Sequence, residues 1–166
     1  IGAKLAAPER PVLGFAGDGD FLMTVQELAM AVQYDLDVVY VVVDNAGWQS
    51  IRDLQMDAYG EDHGFAAEFR DTAGESITPD LVTVARGFGV QAEQATDERA
   101  LKGAIGRALA SGGPTVIVVP VRREFPESAG PVSGWWDVPV PASLPKRRKT
   151  YEREVAPVRR DAVKRS

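Results

Sequence analysis

The amino-acid sequence predicts an α/β domain with a doubly wound, mainly parallel sheet and helices on both faces. Two apolar runs, Val38–Val43 and Thr115–Val121, are continuous rather than alternating, which is typical of strands buried on both faces of a parallel sheet. Segments with helical periodicity separate the strand-like runs, which gives the order β-α-β-loop-α-β-α-β. Right-handed crossovers are expected to join the parallel strands.

The first elements follow from small residues and prolines. Residues 1–7 are small and apolar, with no initiator Met, and are predicted to be the end of a helix whose beginning is absent. We therefore expect this chain to be part of a longer polypeptide. Pro8 and Pro11 turn the chain into a first strand at about Val12 to Ala16.

The next helix and strand carry the clearest local signals. Thr24 is predicted to cap a helix from about Val25 to Tyr34, because Glu27 three residues later completes a capping-box pattern. Six consecutive apolar residues, five of them Val, then form the predicted central strand Val38–Val43.

The middle of the chain is a long loop followed by a helix. Residues 45–74 are predicted to be a loop with one short helix, Gln49 to Gln55, and loops of this length usually carry function or an interface. Thr78 is predicted to cap the following helix, with Pro79 in its first turn and Gly87 or Gly89 at its end.

The last elements complete the sheet. A short strand is expected at Val90 to Gln94, and Asp97 is predicted to cap a helix through Ala110. Residues 122–166 lose periodicity, and the aromatic run Gly134–Val140 is expected to dock on the domain or on a neighbouring subunit. We therefore divide the chain into a domain at 1–121 and a C-terminal docking segment with a basic tail at 122–166.

Composition excludes several classes of protein. The chain has 166 residues, enough for one domain, and no cysteine, which excludes disulfides and thiolate sites. It contains no apolar run long enough to span a membrane and no signal peptide, so a cytoplasmic location is the default expectation. The net charge of −5 divides into +6 for residues 146–166 and −11 for the remainder. The acidic body argues against nucleic-acid binding, and the run Lys146–Lys149 is interpreted as a solvated tail on an acidic surface or partner subunit.

Two short motifs follow predicted strands. The sequence Gly-Asp-Gly-Asp-Phe at residues 17–21 follows the first strand, and Asn45 follows the central strand 27 positions after Asp18. One βαβ crossover would bring these strand ends together. The Asp18 carboxylate, the Asn45 amide oxygen and the Gly47 carbonyl are the hard oxygen ligands that Mg²⁺ prefers, and glycines let backbone N–H groups approach a diphosphate. The motifs therefore predict Mg²⁺ holding a phosphate group.

This pair of motifs resembles the diphosphate-binding signature of thiamine diphosphate enzymes of the acetolactate synthase and pyruvate decarboxylase superfamily. The resemblance implies thiamine diphosphate and Mg²⁺ as cofactors, with Asp18, Asn45 and the Gly47 carbonyl as metal ligands. It implies the following cofactor-binding residues: Gly17, Asp18, Gly19, Asp20, Phe21, Asn45, Gly47 and Trp48. Asp20 differs from the Ser or Ala often found at its position, and its carboxylate would repel a diphosphate unless turned away, hydrogen-bonded or metal-bound.

Other interpretations of these residues stay open. Gly-Asp-Gly-Asp alone also occurs in surface turns, so the chain could be a non-catalytic α/β module. Haloacid dehalogenase phosphatases contain Gly-Asp-Gly as well, but their nucleophile lies far upstream and only sixteen residues precede Gly17. His63, the single histidine, is interpreted as a loop-packing residue, which makes a Ser or Cys triad improbable.

A narrower resemblance rests on later residues. The triplet Leu54-Gln55-Met56, the triplet Glu68-Phe69-Arg70 and the Trp pair at 135–136 resemble the inositol-catabolic branch, the trihydroxycyclohexane-1,2-dione acylhydrolases. This implies cleavage of a carbon–carbon bond next to a carbonyl of a small-molecule substrate, ended by water. An acetolactate synthase-like carboligase is the alternative. In the superfamily the activating Glu comes from a pyrimidine-binding domain of the same or a neighbouring subunit, so we expect a homodimer or homotetramer and an inactive isolated chain.

Overall fold

The computed structural model describes residues 1–60, 64–122 and 140–163. His63 and the predicted aromatic anchor around Trp135 and Trp136 lie outside the described residues. The helices are α1 (Gly2–Ala6), α2 (Asp18–Thr24), α3 (Glu27–Gln33), α4 (Gln49–Tyr59), α5 (Leu81–Gly87), α6 (Glu98–Ser111) and α7 (Pro145–Val163). The strands are β1 (Val12–Gly17), β2 (Val38–Asp44), β3 (Gln91–Gln94) and β4 (Thr115–Pro120).

The described residues divide into two compact units. Residues 1–48 and 69–122 form the first unit, which contains the sheet. Residues 49–60, 64–68 and 140–163 form the second. The predicted boundary between residues 121 and 122 stays a prediction.

The four strands form one parallel sheet, which confirms the predicted α/β fold. Their order is β1-β2-β4-β3, and each neighbouring pair runs parallel. β1 and β2 are in register from Val12 opposite Val38 to Gly17 opposite Val43. The two strands that carry the sequence motifs are therefore neighbours, and they end at the same edge of the sheet.

Two apolar clusters cover the two faces of the sheet, as the continuous valine run in β2 requires. Val42 and Val116 pack with Phe21, Leu28 and Leu81, which come from α2, α3 and α5. The other face carries a second cluster, whose buried members are Val39, Ile117, Ala95, Ala104 and Ala108. β2 and β4 are thus buried between helices, and the strand ends are left to form a site.

The right-handed crossover rule accounts for which face each helix covers. The connections β1 to β2 and β2 to β3 cross the sheet in one direction, whereas β3 to β4 returns in the opposite direction. A right-handed crossover that reverses direction must place its helix on the other face. The cluster around α2, α3 and α5 on one face and the cluster around α6 on the other follow this rule.

The prediction for the segment after β1 was wrong in its helix boundaries. α2 begins at Asp18, so the glycine motif forms the first turn of a helix. Thr24 ends this helix instead of capping the next. The Thr24 hydroxyl donates to the Asp20 carbonyl at 3.1 Å, and no side chain caps α3. A helix that starts at the motif was missed because glycines are unfavourable within helices but tolerated at a first turn.

Two predicted helix caps had different outcomes. Asp97 caps α6 as predicted, and its carboxylate accepts from the Ala100 amide at 2.7 Å. The cap of α5 is Asp80, not Thr78, because the Asp80 carboxylate accepts from the Thr83 amide at 2.9 Å. Aspartate and threonine are both good caps, and the geometry of the entering chain selected between them.

The second unit contains one helix that is longer than predicted and one helix that was not predicted. α4 extends four residues beyond the predicted end at Gln55, and α7 occupies part of the segment in which no periodicity was expected. Arg147 of α7 donates to the carbonyl oxygens of Ala58 at 3.1 Å and Met56 at 2.9 Å, which lie in the last turn of α4. An arginine from the basic run thus satisfies carbonyls that a helix end leaves without intrahelical partners. Among the described residues, no helix is both long and apolar enough to cross a membrane.

Candidate functional site

The candidate site lies where β1 and β2 end side by side. Gly17, the last residue of β1, is paired with Val43 near the end of β2. Asp18 directly follows β1 as the first residue of α2, and Asn45 directly follows β2. Ligands of open α/β sheets bind at the carboxyl ends of strands, so both motifs stand at the edge where a site is expected.

The Asp18 carboxylate connects the two motifs. Its side chain is fully buried, with 0% relative exposure. Oδ1 accepts a hydrogen bond from the Gly19 amide at 2.9 Å, and Oδ2 accepts one from the Gly47 amide at 2.8 Å. A single side chain therefore holds the glycine motif and the loop after β2 together.

The Asn45 side chain completes a group of three polar atoms. As placed, its amide oxygen lies 3.1 Å from Asp18 Oδ1 and 2.7 Å from the Gly47 carbonyl oxygen. Exchanging the amide oxygen and nitrogen turns both contacts into hydrogen bonds donated by the amide. Without a donor or a cation, three oxygens at these distances would repel one another. The arrangement therefore needs either the exchanged amide or a positive charge between the oxygens.

Burial raises the pKa of the Asp18 carboxyl. Desolvation raises the pKa of its carboxyl above the ordinary value of 3.8, and the nearby charge of Asp44 acts in the same direction. The amides of Gly47 and Gly19 partly offset this effect by hydrogen bonding to the carboxylate. A buried, hydrogen-bonded carboxylate with a shifted pKa is a typical feature of a functional site.

The loop after β2 has an unusual backbone. Ala46 has φ 59° and Gly47 has φ 145°, both in the region that favours glycine. The Asp44 carboxylate accepts from the Ala46 amide at 3.0 Å, so Asp44 shapes the turn at the strand end. The loop thus directs the Asn45 side chain and the Gly47 carbonyl toward Asp18. The left-handed backbone that this requires at Ala46 is less stable than an extended or helical one.

Trp48 covers the glycine motif. A Cβ added to Gly19 would lie 2.4 Å from Trp48 Nε1, so the indole fills the space that a side chain at residue 19 would occupy. The indole also contacts Phe69, with ring centroids 5.0 Å apart in an edge-to-face arrangement. The glycine at position 19 is required here for packing against tryptophan, a reason that the sequence did not indicate.

The remaining predicted residues surround this group in different ways. Gly17 caps α2 in an extended conformation and has room for a Cβ, whose nearest neighbour would be Asp20 Oδ2 at 3.6 Å. Asp20 is exposed, whereas the Phe21 side chain is 5% exposed and lies in the core. Only backbone atoms of Phe21 are available to a ligand at the start of α2.

The chemistry of these donors suits a hard cation bound to a phosphate group. One carboxylate, one amide oxygen and one backbone carbonyl are all oxygen ligands, as Mg²⁺ prefers. The part of the chain that the structure describes contains no group of three or more His, Cys, Asp or Glu side chains that could hold a metal ion. A cation at Asp18 would therefore need further ligands from a bound phosphate or from water.

Two residues with a part in the loop conformation were not predicted. Ala46 adopts the left-handed backbone, and its carbonyl accepts from the Phe69 amide at 3.0 Å. Phe69 belongs to a triplet that the sequence singled out only as a resemblance. The available signal was this triplet at the far end of the long loop, but a contact between positions 23 residues apart cannot be read from local spacing.

Comparison with known proteins identifies the family. Residues 1–119 match the family described as thiamine pyrophosphate enzyme, C-terminal TPP binding domain, where TPP is thiamine pyrophosphate, another name for thiamine diphosphate. The chain is 34% identical over 154 residues to the 3D-(3,5/4)-trihydroxycyclohexane-1,2-dione hydrolase of Lacticaseibacillus casei, covering 92% of this chain and 24% of the hydrolase. The acetolactate synthase large subunit of Parasynechococcus marenigrum (strain WH8102) is 37% identical over 125 residues, covering 74% of this chain and 19% of that subunit.

A solved structure agrees with the sequence relatives. The thiamine diphosphate-dependent 4-hydroxybenzoylformate decarboxylase of Rhodococcus jostii RHA1 superposes with a TM-score of 0.64 and 29% sequence identity, covering 77% of this chain and 22% of the decarboxylase. The chain thus spans about a quarter of the length of the curated relatives that it matches. With a family match over residues 1–119, the chain belongs to the thiamine pyrophosphate enzymes and carries their C-terminal cofactor-binding domain.

Proposed function

We propose that Asp18, Asn45 and the Gly47 carbonyl hold a Mg²⁺ ion that binds the diphosphate of thiamine diphosphate. The observation that supports this most is the close approach of three polar groups. Mg²⁺ with oxygen ligands at about 2.0–2.1 Å places adjacent ligands about 2.8–3.0 Å apart. One terminal atom of the Asn45 amide lies 3.1 Å from Asp18 Oδ1 and 2.7 Å from the Gly47 oxygen, close to the edges of such an octahedron. With a cation bound, this atom would be the amide oxygen.

The electrostatics of the site support the same assignment. The Asp18 carboxylate is buried, has a raised pKa and lies near the charge of Asp44. A divalent cation would neutralise this negative charge and would favour the ionised form of the carboxyl. The Asn45 amide would then present its oxygen to the cation, the orientation that is unfavourable when no cation is bound.

The start of α2 offers the diphosphate its backbone donors. Amides in the first turn of a helix have no intrahelical carbonyl partner, and those of Asp20 and Phe21 belong to this turn. The Gly19 amide already donates to Asp18 and holds the carboxylate instead. The exposed Asp20 side chain can turn into solvent, which would relieve its repulsion of a diphosphate.

We infer that the protein uses this cofactor to cleave a carbon–carbon bond next to a carbonyl, with a trihydroxycyclohexane-1,2-dione of inositol catabolism as substrate. Thiamine diphosphate, when bound, supplies the electron sink for such a cleavage. The support is the 34% identity to the dione hydrolase across 92% of the chain. An acetolactate synthase-like carboligase is the second candidate, supported by the 37% identity to that subunit. We further propose that the protein is a cytoplasmic homo-oligomer and that its activating Glu comes from a pyrimidine-binding domain.

A titration tests the metal site directly. Mg²⁺ is titrated calorimetrically, with saturating thiamine diphosphate, into a chimaera in which this chain replaces the matching quarter of the Lacticaseibacillus casei hydrolase, and the wild-type sequence in that chimaera is expected to bind saturably. Asp18→Ala should abolish binding, because it removes the only charged ligand of the proposed site. Asp97→Asn is the matched control, since it removes one negative charge elsewhere but keeps a capping side chain on α6. Unchanged Mg²⁺ binding in Asp18→Ala would discard the proposal.

A chimaera separates the two candidate reactions. This chain replaces the matching quarter of the Lacticaseibacillus casei hydrolase, and products are analysed with the cyclic dione and, separately, with pyruvate. Ring opening of the dione supports the hydrolase assignment. Carboligation of pyruvate without ring opening supports the alternative.

A further inference from the structure

The end of the long loop and the residues that follow it form a closed turn that is fixed by its own hydrogen bonds. We call residues 69–77 the brace turn. Its ends are joined because the Ile77 amide donates to the Phe69 carbonyl at 3.0 Å and Arg70 forms an antiparallel bridge with Ser76. Inside the turn, the Asp71 carboxylate accepts from the amides of Ala73 and Glu75, each at 2.9 Å. Phe69 is therefore the first residue of a turn that several hydrogen bonds hold in one conformation.

Phe69 contacts the loop after β2 in two independent ways. Its backbone amide donates to the Ala46 carbonyl at 3.0 Å. Its ring packs edge-to-face on Trp48, with centroids 5.0 Å apart and planes at 69°. Because the Trp48 indole also packs against Gly19, Trp48 links Phe69 of the brace turn to the glycine motif.

The loop between these contacts needs support. Ala46 and Gly47 both have positive φ, and a left-handed alanine is less stable than an extended or helical one. Such conformations persist only where the surroundings determine them more than once. The contacts around this loop include Asp18, through the Gly47 amide, Asp44, through the Ala46 amide, and Phe69, through the Ala46 carbonyl.

We propose that Phe69 is a positioning residue that holds residues 45–47 in the conformation that directs the Asn45 side chain and the Gly47 carbonyl toward Asp18. This inference rests on the proposed Mg²⁺ site. Phe69 touches neither the cation nor the diphosphate in this assignment, and it acts through Ala46 and Trp48. Groups behind metal ligands commonly change metal affinity by about 10- to 100-fold when they are replaced.

Two substitutions at residue 69 and one control test the proposal. Phe69→Leu keeps an apolar side chain and the backbone hydrogen bond but removes the aromatic edge, so we expect Mg²⁺ affinity in saturating thiamine diphosphate to fall about tenfold. Phe69→Tyr keeps the ring and should retain wild-type affinity. Phe65→Leu is the matched control, because Phe65 forms a comparable edge-to-face pair with Tyr59, at 6.2 Å, within the second unit. Titrations are made well below the thermal midpoint of each variant.

Hydrogen exchange gives a readout that needs no metal. In the metal-free chain, Phe69→Leu should increase exchange of the Gly47 amide, which donates to Asp18, and leave the amides of β4 protected. Equal Gly47 exchange in wild type and Phe69→Leu overturns the role of Phe69. Wild-type Mg²⁺ affinity in Phe69→Leu overturns it as well, while loss of binding in Asp18→Ala would still support the metal site. A wild-type chain that binds no Mg²⁺ overturns the proposed function and, with it, the role of Phe69.

Discussion

At the scale of single residues, the site depends on one buried carboxylate. Asp18 accepts two backbone hydrogen bonds, from Gly19 and Gly47, yet its pKa is raised because burial outweighs them. Such a group lowers the stability of the metal-free fold at neutral pH, since the unfolded chain ionises more easily. The protein keeps a destabilising residue at this position, which is typical of groups retained for binding.

The raised pKa predicts an unusual pH dependence for the metal-free chain. Between its ordinary pKa of 3.8 and its raised folded value, Asp18 binds more protons in the folded state than in the unfolded state. Its contribution to the free energy of unfolding is therefore greatest at low pH and is lost as pH rises through that window. Urea unfolding from pH 3 to 7 should show Asp18→Asn gaining stability relative to wild type as pH increases.

Asp80 provides a control of opposite sign. The Thr83 hydroxyl and amide lower the pKa of the Asp80 carboxyl, so its stabilising effect is present above its ordinary pKa and is lost as pH falls. Asp80→Asn should therefore lose stability relative to wild type as pH increases. Parallel pH profiles for the two variants would contradict the assignment of Asp18 as a buried acid.

The two glycines of the motif should differ in what they tolerate. In Gly19→Ala the new Cβ would meet Trp48 Nε1 at 2.4 Å, so the indole must move and the free energy of unfolding should fall by about 1–3 kcal/mol. In Gly17→Ala the nearest atom lies at 3.6 Å and the backbone is extended, so stability should change by about 0.5 kcal/mol or less. Urea unfolding followed by circular dichroism measures both. Equal losses in the two variants would show that Trp48 does not restrict residue 19.

At the scale of elements, strands and helices were predicted best where burial is continuous. The valine run of β2 was predicted as a strand from its composition alone, because a strand covered on both faces has no polar side. The boundary between α2 and α3 was missed because neither helix start carries a side-chain cap, so the capping pattern at Thr24 misled the prediction. Helix α7 was missed because its sequence is strongly polar, which hides any apolar face.

The sheet core gives a prediction at this scale. Ile117 in β4 is fully buried at 0% relative exposure and packs with Val39 and the alanines of α6. Ile117→Ala should lower the free energy of unfolding by about 2–5 kcal/mol, since it removes buried methyl groups and leaves a cavity. Leu109→Ala, at a residue of α6 that is 46% exposed, should cost less than about 1 kcal/mol. Similar losses in chemical denaturation would contradict the assignment of this core.

At the scale of the whole molecule, the topology explains why the site forms between β1 and β2. Parallel pairing puts both carboxyl ends at one edge, so motifs separated by 27 positions meet without any long-range signal in the sequence. The basic run near the C-terminus had two simple interpretations, a nucleic-acid patch or a solvated tail. Two of its arginines have local partners, since Arg147 donates to carbonyls of α4 and Arg148 pairs with Glu152 at 2.8 Å. Neither contact decides between the two interpretations.

The sequence by itself determined the parallel α/β fold and the convergence of Asp18 and Asn45, because strand burial, crossover handedness and glycine at a strand end are local or topological rules. The family followed from the resemblance of the two motifs. Only the tertiary structure decided the packing of Trp48 on Gly19, the left-handed backbone at Ala46 and the contact of Phe69 with both. The physical reason is that these features depend on which side chains meet across the fold. Residues far apart in sequence carry no periodicity or spacing that records such a meeting.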